Sequence, residues 1–217
     1  MKRRAARAAV ERVDADDVVG LGSGSTAAHA IRALGERVAD GDSIVGIPTS
    51  YQSADLARSV GIPVRTPADV AGIDIAIDGA DQVVGSVLIK GGGGAQTREK
   101  VIDAAAETFL CVVDETKWAE QLDHPVPIEV LSDARPLVME RIREIGGSPT
   151  VRLANDRPFI TDNGNQIIDA DFGRIEQPAQ LATRLAAIPG TLEHGLFVDL
   201  VDTVVVGTTD DVILRSQ

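Results

Sequence analysis

The stretch that decides the fold is VVGLGSGSTAAHAIRALGERVAD, residues 18–40, together with SIVGIPTS, residues 43–50. A short apolar run turns at Gly22 and Gly24 into a segment whose apolar residues recur at helical spacing, and a second short apolar run follows. This succession predicts a strand, a helix and a second strand parallel to the first.

The same alternation continues along the first half of the chain. Apolar runs at 73–78, 87–90 and 109–114 predict three further strands, and helical patterns extend to about residue 60 and from about 96 to 107. Strands separated by helices of this length are typical of a doubly wound, mostly parallel, Rossmann-like sheet in an α/β domain. Ligands of such sheets bind at the carboxyl ends of the strands.

The pattern changes after the polar, proline-bearing segment 114–127. The predicted order becomes strand, helix, strand, strand, helix, strand, carried by residues 126–130, 134–147, 149–154, 165–172, 178–190 and 191–198. That order predicts a smaller, ferredoxin-like α+β domain, and the apolar tail, 203–215, is expected to return to the first domain. We therefore expect a Rossmann-like domain, 1–124 with 199–217, and a ferredoxin-like domain, 125–198.

Composition excludes several classes of protein. The chain has 217 residues, of which 44% are hydrophobic and 25% charged, as in a globular protein with a substantial core. No apolar stretch approaches the roughly 18 to 20 residues that a membrane helix needs. Asp and Glu outnumber Lys and Arg by 33 to 21, which disfavours nucleic acid as a partner. The acid excess suits either a salt-rich cytoplasm or plain solubility.

Cysteine and histidine usage indicates a reduced, cytoplasmic protein without a zinc site. Cys111 is the single cysteine and cannot form an internal disulfide. His29, His124 and His194 are scattered and lack the spacing of zinc ligands. The basic start of the chain meets acidic residues from Glu11 onward before any apolar run, so no export signal is expected.

The turn between the first strand and the first helix is a candidate phosphate site. Backbone amides near Gly22 and Gly24, hydroxyls of the following residues and the helix dipole all favour an anion there. The segment also fits the loose G-x-G-x-x-A dinucleotide pattern, but that pattern needs an acid at the end of the next strand. Residues 48–50 are Pro, Thr and Ser, so a nicotinamide cofactor is less favoured. A glycine turn without a ligand is the remaining alternative.

The segment IDGAD, residues 77–81, is the second candidate site. Small residues between Asp78 and Asp81 allow a sharp turn that brings both carboxylates toward one point. Paired carboxylates can hold sugar hydroxyls or move protons. Taken alone, an Asp-Gly turn after a strand is more often a simple turn.

The segment IKGGGGAQTREK, residues 89–100, is the third candidate site. Four consecutive glycines, Gly91–Gly94, can present several amides to a negative oxygen, Lys90 adds a positive charge and Glu99 follows in the first helical turn. Taken alone, Glu99 would complement the helix dipole and the glycines would form a flexible loop. Ordering four glycines is costly, however, which indicates that they serve a purpose.

All three sites are expected at the carboxyl ends of strands of one sheet, and therefore in one cleft. Together they offer a phosphate cradle, acids for sugar hydroxyls, an oxyanion nest and a carboxylate base. That combination suits proton transfer next to the carbonyl of a phosphorylated sugar.

The chain resembles, over nearly its whole length, the ribose-5-phosphate isomerases of type A. Seven segments match that family in order and spacing: GLGSGSTAAHAI, GIPTSYQ, DGAD, KGGGGAQTREK, VDETK, TDNGNQIID and AIPGTLEHGLF. Two positions depart from the family pattern. Gln82 stands where the family commonly has Glu, and Gly94 stands where Ala is frequent.

The resemblance implies a role for each matched residue. Glu99 would be the catalytic base, and Asp78, Asp81 and Lys90 would act on the ring and open-chain hydroxyls. The implied substrate contacts are Ser23, Gly24, Ser25, Thr26, Gly79, Ala80, Gly91, Gly92, Gly93, Lys117 and Lys2. The implied reaction interconverts ribose 5-phosphate and ribulose 5-phosphate through an enediolate, without metal or cofactor, in the non-oxidative pentose phosphate pathway. The resemblance also implies that the Rossmann-like domain is catalytic and that a homodimer or homotetramer is built through the ferredoxin-like domain.

Two other functions compete with this interpretation. Some transcriptional regulators carry a sugar-phosphate sensor domain with a similar fold, but they need a helix-turn-helix. The first predicted strand begins near Val18, which leaves no room for one upstream, and the acidic surface disfavours DNA. An amino-sugar-phosphate deaminase is the second rival, and it would act on glucosamine 6-phosphate instead.

Overall fold

The computed structural model describes residues 1–216, which form two compact units. The first, here called the α/β unit, comprises residues 1–80, 98–118 and everything from 199 onward. The second, the α+β unit, comprises residues 81–97 and 119–198. The chain thus passes from one unit to the other after Ala80 and returns at Arg98.

Six α-helices and fifteen strands make up the described chain. The helices are α1 (Lys2–Val10), α2 (Gly24–Ala39), α3 (Tyr51–Ser59), α4 (Gln96–Ala105), α5 (Arg135–Glu144) and α6 (Pro178–Ala186). The strands are β1 (Val18–Leu21), β2 (Val45–Pro48), β3 (Ile73–Asp78), β4 (Gln82–Val84), β5 (Val87–Ile89), β6 (Ala106–Asp114), β7 (Val126–Val130), β8 (Ser148–Val151), β9 (Leu153–Ala154), β10 (Arg157–Pro158), β11 (Gln166–Asp171), β12 (Thr191–His194), β13 (Leu196–Phe197), β14 (Thr203–Gly207) and β15 (Val212–Ser216). None of the helices within residues 1–216 has the length and apolarity needed to cross a bilayer.

A six-stranded sheet in the order β15-β14-β6-β3-β1-β2 forms the centre of the α/β unit. Every neighbouring pair is parallel except β14 with β15. The mostly parallel, Rossmann-like sheet predicted from the sequence is therefore confirmed. The tail returns to this sheet as predicted, because β14 pairs with β6 over residues 203–207.

Apolar side chains cover both faces of this sheet. Val19 and Leu21 of β1 belong to one buried cluster, which also contains apolar residues of α1 and α2. Ile102 of α4 packs with Ile47 and Ile73 in a separate cluster. Gly20 points toward that second cluster, since a Cβ on Gly20 would lie 2.8 Å from Ile102 Cγ2. Successive residues of β1 therefore face opposite sides of the sheet, and each side is covered by helices.

The strand order places a switch point between β1 and β3. Strand β2, which follows β1 in the chain, lies on one side of β1 in the sheet, and β3 lies on the other side. Sheets of this order bind ligands outside the carboxyl ends of the two strands at the switch point. In this chain those ends carry Gly22 and Asp78.

Helix α1 is an element that the sequence analysis did not predict. Its buried residues are Ala5, Ala6, Ala9 and Val10, which lie on one face at helical spacing. The apolar face was not recognised in the sequence because the helix also carries three arginines and a lysine, and because alanine contributes little to a hydrophobic pattern. The helix packs on α2, β6 and β14 and so closes one layer of the α/β unit.

The α+β unit contains a four-stranded antiparallel sheet in the order β12-β7-β11-β8. With α5 and α6 between the strands in sequence, this is the predicted ferredoxin-like order. Buried apolar side chains from the sheet and both helices form its core, among them Val126, Ile128, Val138, Ile168 and Leu185.

A second, three-stranded sheet in the order β13-β5-β4 corrects one expectation. The sequence analysis placed the strand at 87–90 in the same sheet as β1 and β3, and this is wrong. Strands β4 and β5 form an antiparallel hairpin around Gly85, whose φ is +57°, and β5 pairs with β13 on its other edge. Lys90 and the glycines after it therefore follow a strand of the α+β unit.

The compact units differ from the predicted domain boundaries in two segments. Residues 81–97 and 119–124 belong to the α+β unit, since β5 pairs with β13 and Leu122 bridges Ile175. The predicted strand at 191–198 is also divided, because β12 joins the four-stranded sheet and β13 the three-stranded one. Gly195 lies between these two strands.

Gly195 has no room for a side chain. Its N–H donates to the Pro127 carbonyl at 2.7 Å, and its carbonyl accepts the Lys90 N–H at 2.8 Å. A Cβ would lie 2.1 Å from the Lys90 carbonyl oxygen, a backbone atom that cannot turn aside.

Gly195→Ala is expected to lower the free energy of unfolding by about 2 kcal/mol or more, because overpacking against backbone forces the strands apart. Gly72→Ala is the matched control, since a Cβ there meets no atom within 4 Å. Chemical denaturation of the two variants and the parent measures the difference. Equal stability of both variants would contradict this packing.

Candidate active site

The turn between β1 and α2 is built to receive an anion. The helix begins at Gly24, whose φ is +87°, and the Ser23 side chain does not cap the helix. Instead Ser23 Oγ lies 2.8 Å from Thr49 Oγ1 and donates to Ser50 Oγ at 2.6 Å. The first-turn N–H groups of α2 have no carbonyl one turn earlier to bind, which suits a phosphate.

Basic groups of the α/β unit surround this turn. Lys2 Nζ donates to Ser25 Oγ at 2.9 Å, so the lysine reaches the predicted phosphate loop. Burial lowers the pKa of His29 in α2, and the charges of Arg32, Arg3 and Lys2 lower it further. A cavity of about 200 Å³ beside the turn is lined by Gly22–Gly24 and Arg32, among others. The local field therefore favours a negative ligand.

Lys117 stands at the end of β6, near Asp114. Burial raises the pKa of Asp114, but hydrogen bonds from Thr116 and the charges of Lys2 and Lys117 outweigh burial, so that pKa lies below its usual value. Lys2 Nζ lies 3.9 Å from Asp114 Oδ2. Lys2 and Lys117, both in the predicted substrate set, therefore help to keep Asp114 in its charged form.

Two of the predicted catalytic residues are buried carboxyl groups of the α/β unit. Asp78 is the last residue of β3 and is 1% exposed, and its Oδ1 accepts the Ser23 N–H at 3.0 Å and the Gly79 N–H at 2.7 Å. Gly22 is required beside it, since a Cβ there would lie 2.1 Å from Asp78 Oδ1. Glu99 lies in the first turn of α4 and is 5% exposed.

The α+β unit supplies Asp81 and Lys90. The Asp81 N–H donates to the Ile89 carbonyl at 2.8 Å, and Asp81 Oδ2 accepts the Gly92 N–H at 2.7 Å. The Lys90 side chain is buried at 1% exposure, with Nζ 5.2 Å from the centroid of the Phe197 ring. A buried ammonium group over an aromatic face is a concentrated positive charge. Ala80, also in the predicted set, precedes Asp81 and is half-buried.

The four glycines form a tight turn rather than a loose loop. The Gly94 N–H donates to the Gly91 carbonyl at 2.9 Å, and φ is +104° at Gly91 and +78° at Gly94. A Cβ on Gly92 would lie 2.7 Å from Asp81 Oδ1. Only Gly93 has open space for one, and it is exposed. Conformation or crowding thus requires glycine at three of the four positions.

Both departures from the family pattern have local explanations. Gly94 adopts a positive φ, and a Cβ there would lie 2.5 Å from the Phe159 ring. Gln82 donates to Asp123 Oδ1 at 2.6 Å and accepts the backbone N–H groups of Asp123 and His124, each at 2.9 Å. A glutamate at position 82 could accept the same N–H groups but could not donate to Asp123.

Sequence reasoning missed three charged residues of the α+β unit that hold this region. Arg152 donates to the carbonyls of Gly91 and Gly92 and forms an ion pair with Asp169. Glu129 is fully buried, and its carboxylate accepts hydrogen bonds from four side chains: Thr97, Thr161, Asn163 and Asn165. The segment TDNGNQIID was noted as a motif, yet nothing in it identifies its partners, which lie 17 to 36 residues away.

Metal ligation has no candidate cluster in the part of the chain that the structure describes. Across residues 1–216, the His, Cys, Asp and Glu side chains form no group of three that could hold an ion.

Comparison with known proteins places the chain in a family. A sequence profile described as ribose 5-phosphate isomerase A (phosphoriboisomerase A) matches residues 45–211. The ribose-5-phosphate isomerase A of Natronomonas pharaonis is 56% identical over 216 residues, covering 99% of this chain and 96% of the relative. That of Haloarcula marismortui is 53% identical over 217 residues, covering 99% and 95%.

Solved structures agree with the sequence relatives. The ribose 5-phosphate isomerase A of Methanocaldococcus jannaschii matches with a TM-score of 0.95 at 41% identity, covering 100% of this chain and 98% of that one. A D-ribose-5-phosphate isomerase in complex with phospho-erythronic acid matches with a TM-score of 0.97 at 43% identity, covering 100% and 97%. The resemblance noted in the sequence is confirmed, and the chain belongs to the ribose 5-phosphate isomerase A family.

Proposed function

We propose that the chain interconverts D-ribose 5-phosphate and D-ribulose 5-phosphate with Glu99 as the base that moves the proton between C2 and C1. The isomerase activity follows from the family, and the reaction belongs to the non-oxidative pentose phosphate pathway. The observation that carries the assignment of Glu99 is its burial in the first turn of α4, directly after Lys90 and the glycine turn. A carboxylate shielded from water can exchange a proton with carbon without competition from solvent.

The phosphate group is assigned to the β1–α2 turn. Ser23, Gly24, Ser25 and Thr26 supply N–H and hydroxyl donors, and Lys2 already donates to Ser25 Oγ. Lys117 supplies a further positive charge at the end of β6. Binding of the phosphate at the β1–α2 turn would hold the non-reacting end of the substrate in place and so orient the reacting carbons.

Ring opening is assigned to Asp78, Asp81 and Lys90. A carboxylate takes the proton of the O1 hydroxyl while an acid group protonates the ring oxygen O4, so the C1–O4 bond breaks and the aldehyde forms. Gly79 and Ala80 would place backbone groups against the same hydroxyls. The hydrogen bonds at Asp78 Oδ1 fix the orientation of that carboxyl group.

Isomerisation then proceeds through an enediolate. Glu99 takes the C2 proton, the electron pair forms the C1–C2 double bond, and negative charge develops on O1. Lys90 and the amides of Gly91 and Gly93 stabilise that charge, while the Gly92 N–H donates to Asp81. Glu99 returns its proton to C1, the O2 hydroxyl proton passes to O1, and the ketone forms at C2. Phospho-erythronic acid, found in the related structure, carries a carboxylate that resembles the enediolate oxygens.

Glu99→Gln is expected to lower kcat at least about 10³-fold with little change in KM, because the amide cannot accept the C2 proton. Glu107→Gln is the matched control, since Glu107 is exposed. The assay follows conversion of ribose 5-phosphate in excess chelator, where the parent is expected to keep its full activity. Near-normal turnover of the Glu99 variant would remove this residue from the role of base.

Asp81→Asn is expected to separate ring opening from proton transfer. Conversion of cyclic ribose 5-phosphate should fall about 10- to 100-fold, as expected for loss of one acid–base group. Ribulose 5-phosphate cannot form the furanose ring because its O5 carries the phosphate. Exchange of its C1 hydrogen with deuterated water, followed by NMR, should therefore change less than about threefold.

Two comparisons make that experiment decisive. Glu99→Gln should abolish conversion and exchange alike, and the exposed Asp133→Asn should affect neither. Equal losses of conversion and exchange in Asp81→Asn would contradict a role confined to ring opening.

We also propose a homodimer or homotetramer built through the α+β unit. Four large apolar side chains of that unit are about half exposed or more: Leu131 at 53%, Leu153 at 59%, Ile160 at 55% and Leu192 at 47%. Leu131 lies opposite Gly190 beyond the end of the β7–β12 pairing, and Leu192 lies at the irregularity between Thr191 and Glu193. Large exposed apolar side chains of this kind are typical of an interface.

Sedimentation equilibrium is expected to give twice or four times the chain mass of 22.8 kDa. The double substitution Leu131→Glu and Leu192→Glu should shift the protein to the monomer, because buried like charges oppose association. Val101→Glu, at an exposed position of the α/β unit, is the control. A parent that sediments as a monomer would contradict the proposal.

The cytoplasm is the proposed location of the enzyme. A phosphorylated sugar carries about two negative charges and does not cross a bilayer unaided, so its isomerase is useful where the sugar is made and consumed.

A further inference from the structure

The ion pair between Arg152 and Asp169 is a feature of the α+β unit that has no part in the proposed mechanism. Arg152 lies between β8 and β9, and Asp169 lies in β11. Arg152 Nε donates to Asp169 Oδ2 at 2.9 Å, and Nη2 donates to Asp169 Oδ1. The arginine side chain is 16% exposed and that of the aspartate 30%. This two-point contact fixes the plane of the guanidinium group.

The remaining donors of Arg152 are directed at the glycine turn. Nη1 donates to the Gly91 carbonyl at 2.8 Å and to the Gly92 carbonyl at 3.1 Å. Asp81 holds the same turn from another point through the Gly92 N–H. Both carbonyls are thereby kept toward the guanidinium group, and the peptide planes of a glycine segment lose the freedom they otherwise have.

Fixing these carbonyls has a consequence for the N–H groups. The Gly92 carbonyl and the Gly93 N–H belong to one peptide group and point in opposite directions. A cation at the carbonyl end polarises that peptide and makes its N–H a stronger donor. Gly93 is exposed, and within residues 1–216 its N–H donates to no protein group. The Gly93 N–H is thus a fixed, polarised donor open to a ligand.

We propose that Arg152, oriented by Asp169, is a positioning residue that holds the Gly93 N–H as the donor for the negative charge developing on O1 of the substrate. The inference rests on the proposed function, which assigns that charge to the glycine turn. It adds that the glycine turn depends on Arg152 and Asp169, two residues that do not touch the substrate. Such a donor contributes most when its orientation is set before the reaction begins.

A purely structural ion pair would behave differently from a positioning one. Loss of a structural pair would weaken the fold and reduce the binding of every ligand alike. Loss of a positioning pair should mainly reduce kcat and the binding of ligands with a negative oxygen at the glycine turn. Two ligands distinguish these outcomes: phospho-erythronic acid, which carries a carboxylate and a phosphate, and inorganic phosphate, which probes only the β1–α2 turn.

The central experiment measures kcat, KM and the Kd of both ligands for Arg152→Ala, Arg152→Lys and Asp169→Asn. We expect Arg152→Ala to lower kcat about 100-fold, as for removal of one oxyanion donor, and to change KM less than about threefold. Its Kd for phospho-erythronic acid should rise at least about 10-fold, while that for phosphate stays within about twofold. Arg152→Lys and Asp169→Asn should give smaller losses in the same pattern, because each keeps part of the contact.

Arg141→Ala is the matched control. Arg141 forms an exposed ion pair with Glu144 in the same unit, and its side chain is 51% exposed. This variant should match the parent in kcat and in both dissociation constants. Guanidinium chloride at low millimolar concentration should restore about 10-fold of the kcat lost in Arg152→Ala, since the ion can occupy the vacated position. It should not restore Glu99→Gln.

Several outcomes would overturn the inference. A folded Arg152→Ala variant with the parent's kcat would do so, and so would equal weakening of phosphate and phospho-erythronic acid. If Arg152→Ala does not fold, Arg152→Lys and Asp169→Asn carry the test, and parental kcat in both would overturn it. Failure of the proposed function is recognised separately, because Glu99→Gln would then keep its turnover whatever the Arg152 variants do.

Discussion

The hydrogen bond from the Ser23 N–H to the Asp78 carboxylate is the contact on which the α/β unit of this enzyme depends. It joins the carboxyl ends of β1 and β3 at 3.0 Å, where the strand order opens a switch point. Gly22 has to be glycine because Asp78 Oδ1 occupies the space of its Cβ. One contact thus fixes the start of α2, which is assigned to phosphate, and the direction of a buried acid assigned to ring opening.

In the α+β unit, too, a few contacts fix the backbone of the glycine turn. Asp81 holds one N–H of the turn, Arg152 holds two of its carbonyls, and the backbone of Gly195 supports Lys90. Every one of these contacts acts on backbone groups, and the Gly93 N–H stays exposed. Orientation set by distant residues is how a flexible segment becomes a preorganised one.

Sequence patterns predicted most of the fold and most of the candidate site. Strand and helix periodicity gave the parallel sheet and the ferredoxin-like order, and the glycine and aspartate motifs located Asp78, Asp81 and Lys90. The periodicity of β5 looked like that of a central strand, although β5 pairs with β13. Helix α1 was missed because its buried face is mostly alanine. Residue assignments within the site stay predictions from the sequence and its family resemblance.

What the sequence by itself determined was local: where the chain turns, which residues are apolar at a regular spacing, and which segments carry acids beside glycines. These properties depend on neighbours a few residues apart, so they can be read along the chain. What only the tertiary structure decided was pairing. The sheet that β5 joins, the contact of Arg152 with glycines 60 and 61 residues away, and the burial of Glu129 depend on segments far apart in sequence. These contacts stabilise the protein only after the backbone has brought the distant segments together.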